Sequence, residues 1–193
     1  MSAAPPTCPR HEFTLLVLGP AEAGRTSLMR AVSQSPVAAS AVESTGPAGL
    51  GEAPTAVGTY LAGDVRLLLL DASGRHPVSS MPEIDAAVYV VDAQHPASHI
   101  GAALELRVLL NELQVPVVVA VDRCDAPEEA DRIAHRLSAR SDQRAMPCHL
   151  GDPSACRSVV VAALTELLAH IECPSSVGQV GTVDQALRTG GRR

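Results

Sequence analysis

The chain has 193 residues, a length that suits one domain of roughly 150 residues with tails. Its formal net charge of −6 at neutral pH disfavours a nucleic-acid partner, whose phosphates are met by surplus positive charge. With no Trp, two Tyr and one Phe, the core must be built from Val, Leu, Ala and Ile.

The five cysteines are odd in number and lack C-x-x-C spacing, so they read as free thiols of a reducing cytosol. Metal ligation by Cys148 with His149 offers too few ligands at the wrong spacing. All fifteen basic residues are arginine, and asparagine occurs once, at Asn111. A chain so depleted looks biased by GC-rich coding, and an Arg or Asp in place of a motif Lys or Asn then says less about lost chemistry. The opening MSAAPPTCPRHE has no apolar segment of leader type. Continuous apolar runs are strand-length, so no membrane-spanning segment and a cytoplasmic location are expected. Neither a glycine at position 2 nor a C-terminal prenylation box is present.

In chain order, 1–11 is Pro-rich and expected to be disordered, 12–173 forms the domain, and 174–193 is a second disordered tail. The run FTLLVL, Phe13 to Leu18, reads as a buried parallel strand ended by Gly19. A helix follows over 26–33, with Leu28, Met29 and Val32 at helical spacing. Residues 35–54 are rich in Pro, Gly, Ser and Ala, the mark of a mobile or functional loop. TAVGTYL and VRLLLLD flank Ala62-Gly63-Asp64 as a hairpin. Asp71 opens the irregular DASGRHPVSSMPEI. AAVYVV, Ala86 to Val91, is a strand, and Ser98 to Leu113 a helix with Ile100, Leu104, Val108 and Leu109 on one stripe. VPVVVAV, Val115 to Val121, is a central strand. An acidic first turn then starts another helix after Asp125. A short strand over 145–150 and an amphipathic helix over 154–171 complete the domain, the latter with Val159, Val160, Leu164, Leu167, Leu168 and Ile171. Strands alternating with helices predict an α/β layer fold with a mostly parallel sheet, one antiparallel hairpin strand and helices on both faces.

Residues 19–26, GPAEAGRT, fit the phosphate-loop pattern G-x-x-x-x-G-K-[ST] everywhere except the lysine. Gly19 and Gly24, with Glu22, Ala23 and Ser27, would turn backbone amides toward phosphates at a helix N-terminus. Thr26 would offer its hydroxyl to Mg²⁺. Arg25 stands where a compact lysine charge belongs. Arginine is longer, planar and forked, so altered or weaker binding is expected, although it pairs readily with phosphate.

Three further elements follow in order: Thr55 at the end of the long loop, Asp71-Ala72-Ser73-Gly74 after VRLLLL, and Asp122-Arg123-Cys124-Asp125 after VPVVVAV. Each falls at the carboxyl end of a strand or just before one. Taken singly, Thr55 also fits a plain strand residue, Asp71 a turn residue and Asp125 a helix N-cap.

In this order of motifs the chain resembles the Ras-like P-loop small GTPases over about residues 12–172. More narrowly it looks like bacterial GTPases of Mgl type and the actinobacterial conservon GTPases, which are encoded beside roadblock-domain proteins. The resemblance implies GTP or GDP with Mg²⁺ as ligands and a roadblock-domain protein as partner. It implies Thr26, Thr55 and Asp71 at the metal and Gly74 at the terminal phosphate. Asp125 would accept two guanine hydrogens, Arg123 would pack on the base, and Asp122 would brace the loop where the family has asparagine. Residues 148–152 lie where the family has its last base-contacting loop but do not match its wording.

Arg75 and His76 follow Gly74, where Ras-type enzymes place a water-orienting glutamine. Arginine accepts no proton, so hydrolysis is expected to be very slow or partner-dependent. The sequence therefore predicts a guanine-nucleotide-binding regulatory protein, with a nucleotide-free pseudo-GTPase adaptor as the alternative. A P-loop kinase or ATPase is the third reading, and Asp125 behind a central strand argues against it.

Overall fold

A run of aliphatic residues with no polar alternation must be covered on both sides, and here such runs form the middle of a sheet. The computed structural model describes residues 11–35, 37, 56–71, 83–137 and 143–172. Among the described residues six strands and four α-helices follow in the order β1 (His11–Leu18), α1 (Arg25–Val32), β2 (Ala56–Ala62), β3 (Val65–Asp71), β4 (Ala86–Asp92), α2 (His99–Glu112), β5 (Val117–Asp122), α3 (Pro127–Leu137), β6 (Arg144–Cys148) and α4 (Pro153–Glu172). The sheet order is β2-β3-β1-β4-β5-β6. Only β2 runs antiparallel, paired to β3 across the Gly63 turn; the others are parallel. The predicted fold class is the observed one.

Two apolar layers sandwich the sheet. Leu15, Val17, Val88, Val90, Val118 and Ala120 point to the layer closed by α1 and α4. Leu16, Leu18, Tyr89, Val91, Val119 and Val121 point to the layer closed by α2 and α3. Every residue of β4 is buried, as is all of β5 but Asp122.

Several boundaries differ from the pattern. β1 starts at the exposed His11, because its first residues still pair with Val65 and Arg66 of β3. β6 ends at Cys148, two residues early, because Asp152 N–H bonds back to the His149 carbonyl at 2.8 Å and turns the chain. Asp152 then caps α4 through the Ser154 amide at 2.8 Å, ahead of a proline suited to the first helical position.

The predicted core stripe of α2 requires correction. Ile100, Leu104 and Val108 are 76%, 64% and 54% exposed, and of that stripe only Leu109 is buried. The face against the sheet is Ala102, Leu106, Leu109, Leu110 and Leu113. The helix is apolar on two sides, so periodicity alone could not choose between them. Tyr89 decides. Its buried hydroxyl donates to the Glu105 carboxylate (2.7 Å) and lies 3.2 Å from the Ala102 carbonyl, which fixes the rotation of the helix. On α4, likewise, Leu168 and Ile171 turn outward while Val159, Val160 and Leu167 are buried.

The expectation of strand-length apolar runs holds for unbroken runs only. By length and composition α4 is long and apolar enough to cross a membrane, with a mean hydropathy of 1.4 over an 18-residue window. Here it covers one face of the sheet, with Cys156, Val159, Val160, Ala163 and Leu167 in the core.

Candidate nucleotide-binding site

The chain reverses its direction of strand addition between β1 and β4, and the carboxyl ends of β1, β3, β4 and β5 meet beside that switch point. Open α/β sheets hold ligands at such crevices. The loop 19–24 leaves β1 there. Gly19 has φ +137°, and a Cβ on it would lie 2.1 Å from the Val90 carbonyl oxygen on the neighbouring strand. Only glycine fits so close an approach. Glu22 (φ +67°) and Gly24 (φ +94°) are also left-handed, and the Ala23 amide bonds to the Pro20 carbonyl at 3.2 Å. Gly24 begins α1 with no side-chain cap. The leading amides of the helix thus face outward from a tight glycine turn, the arrangement that suits an anion. Ala23 is buried, Glu22 and Ser27 exposed.

Asp71 closes β3 opposite Val17 of β1. It is 3% exposed. The Thr26 hydroxyl donates to its Oδ2 at 3.4 Å, and Arg25 Nε lies 3.6 Å from its Oδ1. Thr26 and Asp71 are hard oxygen donors held side by side, which fits a Mg²⁺ ion. Arg25 leans on the same carboxylate, so its guanidinium and a metal ion would share that charge.

Burial raises the pKa of Asp71 above the ordinary value, more than the Arg25 charge and the Thr26 hydrogen bond lower it. A carboxyl that binds its proton better in the folded chain contributes stability fully below the unfolded pKa. That contribution is lost as pH rises through the folded pKa. Ionised Asp71 therefore costs stability at neutral pH. Asp71→Asn is expected to raise the melting temperature at about pH 7, with a smaller gain near pH 4, because the native carboxyl, its pKa raised, takes up its proton as pH falls between the two. Thermal unfolding of both proteins at the two pH values measures it; a gain no larger at neutral pH contradicts the assignment.

At the end of β5 lies Asp122, in register with Asp92 of β4 and Cys148 of β6. Its Oδ1 accepts the Leu150 N–H at 2.9 Å. An acid thus braces the 149–152 turn by accepting, with no need of a proton. Arg123 has φ +56° and directs its guanidinium to Asp92 and, at 3.8 Å, to Asp122. Asp92 was not foreseen as a site residue. It is buried, also takes the Gln94 amide (2.9 Å) and lies 3.5 Å from His95 Nδ1.

Asp125 does not cap α3, whose first turn bonds to the Ala126 carbonyl instead. Its side chain is 93% exposed, and Oδ1 lies 2.6 Å from His149 Nε2. Like Asp92, His149 and Leu150 are residues that sequence reasoning missed. A Cβ on Gly24 would fall 2.1 Å from Leu150 Cδ1, so this side chain rests on the phosphate loop. The turn after β6 therefore touches both motifs: Leu150 reaches Gly24 and Asp122, and His149 reaches Asp125. Thr55, Gly74, Arg75 and His76 lie outside the described residues. Among those described, no group of three or more His, Cys, Asp or Glu could hold a metal ion.

No protein-family model matches the sequence, and no curated protein does. Among solved structures, the fold is similar to that of the Arl6 BBS3 small GTPase from Trypanosoma brucei with bound nucleotide analogue GppNp. The TM-score is 0.59 at 13% identity, covering 82% of this chain and 98% of that one. At this identity the likeness is one of fold: the domain has the small GTPase fold.

Proposed function

We propose that the chain is a guanine-nucleotide-binding regulatory protein, a small GTPase-like switch with very slow or partner-dependent hydrolysis. One observation carries this reading. The 19–26 loop and Asp125 adjoin at one edge of the sheet, joined through the 149–150 turn. That adjacency supports a site in which a purine nucleotide would meet both an anion-binding loop and an exposed carboxylate. In this reading the amides of residues 22–27 bind phosphate, Thr26 and Asp71 hold Mg²⁺, and Asp125 accepts two guanine hydrogens. Mg²⁺ would offset phosphate charge and position the terminal phosphate. Arg25 serves the phosphates once it swings from Asp71, and Thr55 and Gly74 complete the metal and phosphate contacts. Arg75 and His76 in place of glutamine account for slow turnover. A cytoplasmic protein of the Mgl or conservon type, working through a roadblock-domain partner, fits the motif order.

The contacts within the site also favour a second reading. Arg25 is engaged by Asp71 and Asp125 by His149, so the chain satisfies internally the charges a nucleotide would use. A nucleotide-free adaptor with the same fold would look so.

Heat-denaturing the purified protein and separating the supernatant by anion exchange distinguishes the two. GDP or GTP released in near-stoichiometric amount supports the first reading. Thermal shift supplies a second measure. Nucleotide at about 100 times Kd is worth about 2.7 kcal/mol. That raises the melting temperature of a domain this size by about 5–10 °C. GDP and GTP should do this with Mg²⁺ and ATP should not. Arg25→Lys is expected to tighten GDP binding about tenfold, because a compact ammonium leaves Asp71 to the metal. No shift with any nucleotide, in wild type or variant, would leave the adaptor.

A further inference from the structure

Arg123 follows β5 directly and stands in the left-handed region, at φ +56°. Side chains of its size enter that region rarely, and such outliers gather at functional sites. Its side chain reaches across to the next strand. The guanidinium pairs with the Asp92 carboxylate at the end of β4, and its Nε lies 3.8 Å from Asp122. In the sheet β4 lies between β5 and β1, and β1 runs into the 19–24 turn. The arginine therefore spans the crevice from the Asp125 side toward the phosphate-loop side.

The holding group is itself held. Asp92 is an acid only 6% exposed. Its Oδ1 accepts the Gln94 amide at 2.9 Å, while Oδ2 faces Arg123 and, at 3.5 Å, His95 Nδ1. The Asp92 carbonyl accepts the His95 amide (3.2 Å) and lies 2.8 Å from His99 Nε2. Next to it the Ala93 amide donates to the Asp122 carbonyl at 3.0 Å, tying the ends of β4 and β5 together. The carboxylate is thus fixed in place whatever the crevice holds.

The Arg123 side chain remains 46% exposed. A carboxylate meets a guanidinium at its edge, in the plane of the N–H bonds, which leaves the two faces open. Such a face stacks well on a flat aromatic ring. A loose arginine loses rotamer freedom when it stacks, whereas one already held has lost it on folding.

We propose that Asp92 is a positioning residue for base binding: it holds Arg123 across the crevice, where the arginine supports the face of a purine ring whose edge Asp125 reads. The inference rests on the nucleotide reading and divides its base recognition into two tasks. Asp92, acting through Arg123, supplies stacking that any purine can use. Asp125 supplies the hydrogen bonds that select guanine.

Titration calorimetry of the full chain with GDP, and with inosine diphosphate, which lacks the 2-amino group of guanine, tests the division. Asp92→Asn keeps the size of the side chain and an acceptor for the Gln94 amide, and removes the charge that holds Arg123. It is expected to weaken both nucleotides alike, by about five- to tenfold, the scale of a cation stacked on an aromatic ring. The ratio of the two affinities should stay at the wild-type value, because Asp125 is untouched. Arg123→Ala should weaken both to a similar extent, and adding Asp92→Asn to it should change neither by more than about twofold. An Asp92 that only braced the 92–99 segment would still lower affinity in the Arg123→Ala background. If the asparagine variant does not fold, Asp92→Ser takes its place in the same cycle. Unchanged GDP affinity in Asp92→Asn, a fall in the ratio, or a second full loss in the double variant would each overturn the proposal. Failure of the wild type to bind GDP would refute the nucleotide reading and the proposal with it; wild-type binding that Asp92→Asn leaves intact refutes the proposal alone.

Discussion

Asp125→Ala is expected to lower affinity for GDP about 100-fold or more and to leave thermal stability within about 0.5 kcal/mol of wild type. The separation of the two effects follows from where the side chain stands. It is 93% exposed and its contact is with a half-exposed histidine, so the folded chain gains little from it. A bound guanine would place two N–H donors on the carboxylate, and each charge-assisted bond contributes about 1.5–3 kcal/mol. Titration calorimetry of wild type and variant with GDP, beside melting curves, checks both halves. A variant that binds GDP as tightly as wild type would remove Asp125 from base recognition. A variant that melts well below wild type would make it a structural residue of the turn.

Gly19→Ala should cost about 3 kcal/mol and lower the melting temperature by roughly 6–12 °C. The obstacle is backbone: the new methyl would meet the Val90 carbonyl oxygen at 2.1 Å, and φ is +137°. Neither strand can retreat without parting β1 from β4 at the centre of the sheet. Two other glycines provide the contrast. Gly63, at φ +63° in the open hairpin turn, has nothing near a Cβ, so Gly63→Ala should cost about 1 kcal/mol from backbone strain alone. Gly101 lies inside α2, also in open space and with no positive φ. Gly101→Ala should stabilise by up to about 1 kcal/mol, as alanine does in an exposed helix. Chemical denaturation of the three variants orders them. A Gly19→Ala protein as stable as Gly63→Ala would mean that the loop leaves β1 by another path.

The central strands were legible because buried parallel strands are written as short aliphatic runs. VRLLLLD matches β3 residue for residue, and AAVYVV lacks only the final Asp92 of β4. The 19–24 turn was legible for a related reason. Its conformation needs glycine at two fixed positions, and glycine is visible in a sequence. What side chains do across the crevice was not. Arg25 lies against Asp71, Asp122 accepts the Leu150 amide, and Asp125 meets His149, all at separations of 24 to 46 residues that local pattern does not reach. Residues 148–152 carried no familiar wording, so the turn joining the two halves of the site looked uninformative. The α2 stripe failed for another reason. Two apolar phases compete on one helix, and a tyrosine hydroxyl from the neighbouring strand decides between them.

That choice leaves Ile100, Leu104 and Val108 as a greasy ridge along one flank of α2. Ions that water prefers to proteins, such as sulfate, raise the cost of keeping such a ridge wet. The protein should therefore come out of ammonium sulfate early for its size and cling to phenyl resin. Leu104→Gln, at the middle of the ridge, should postpone both without touching the interior.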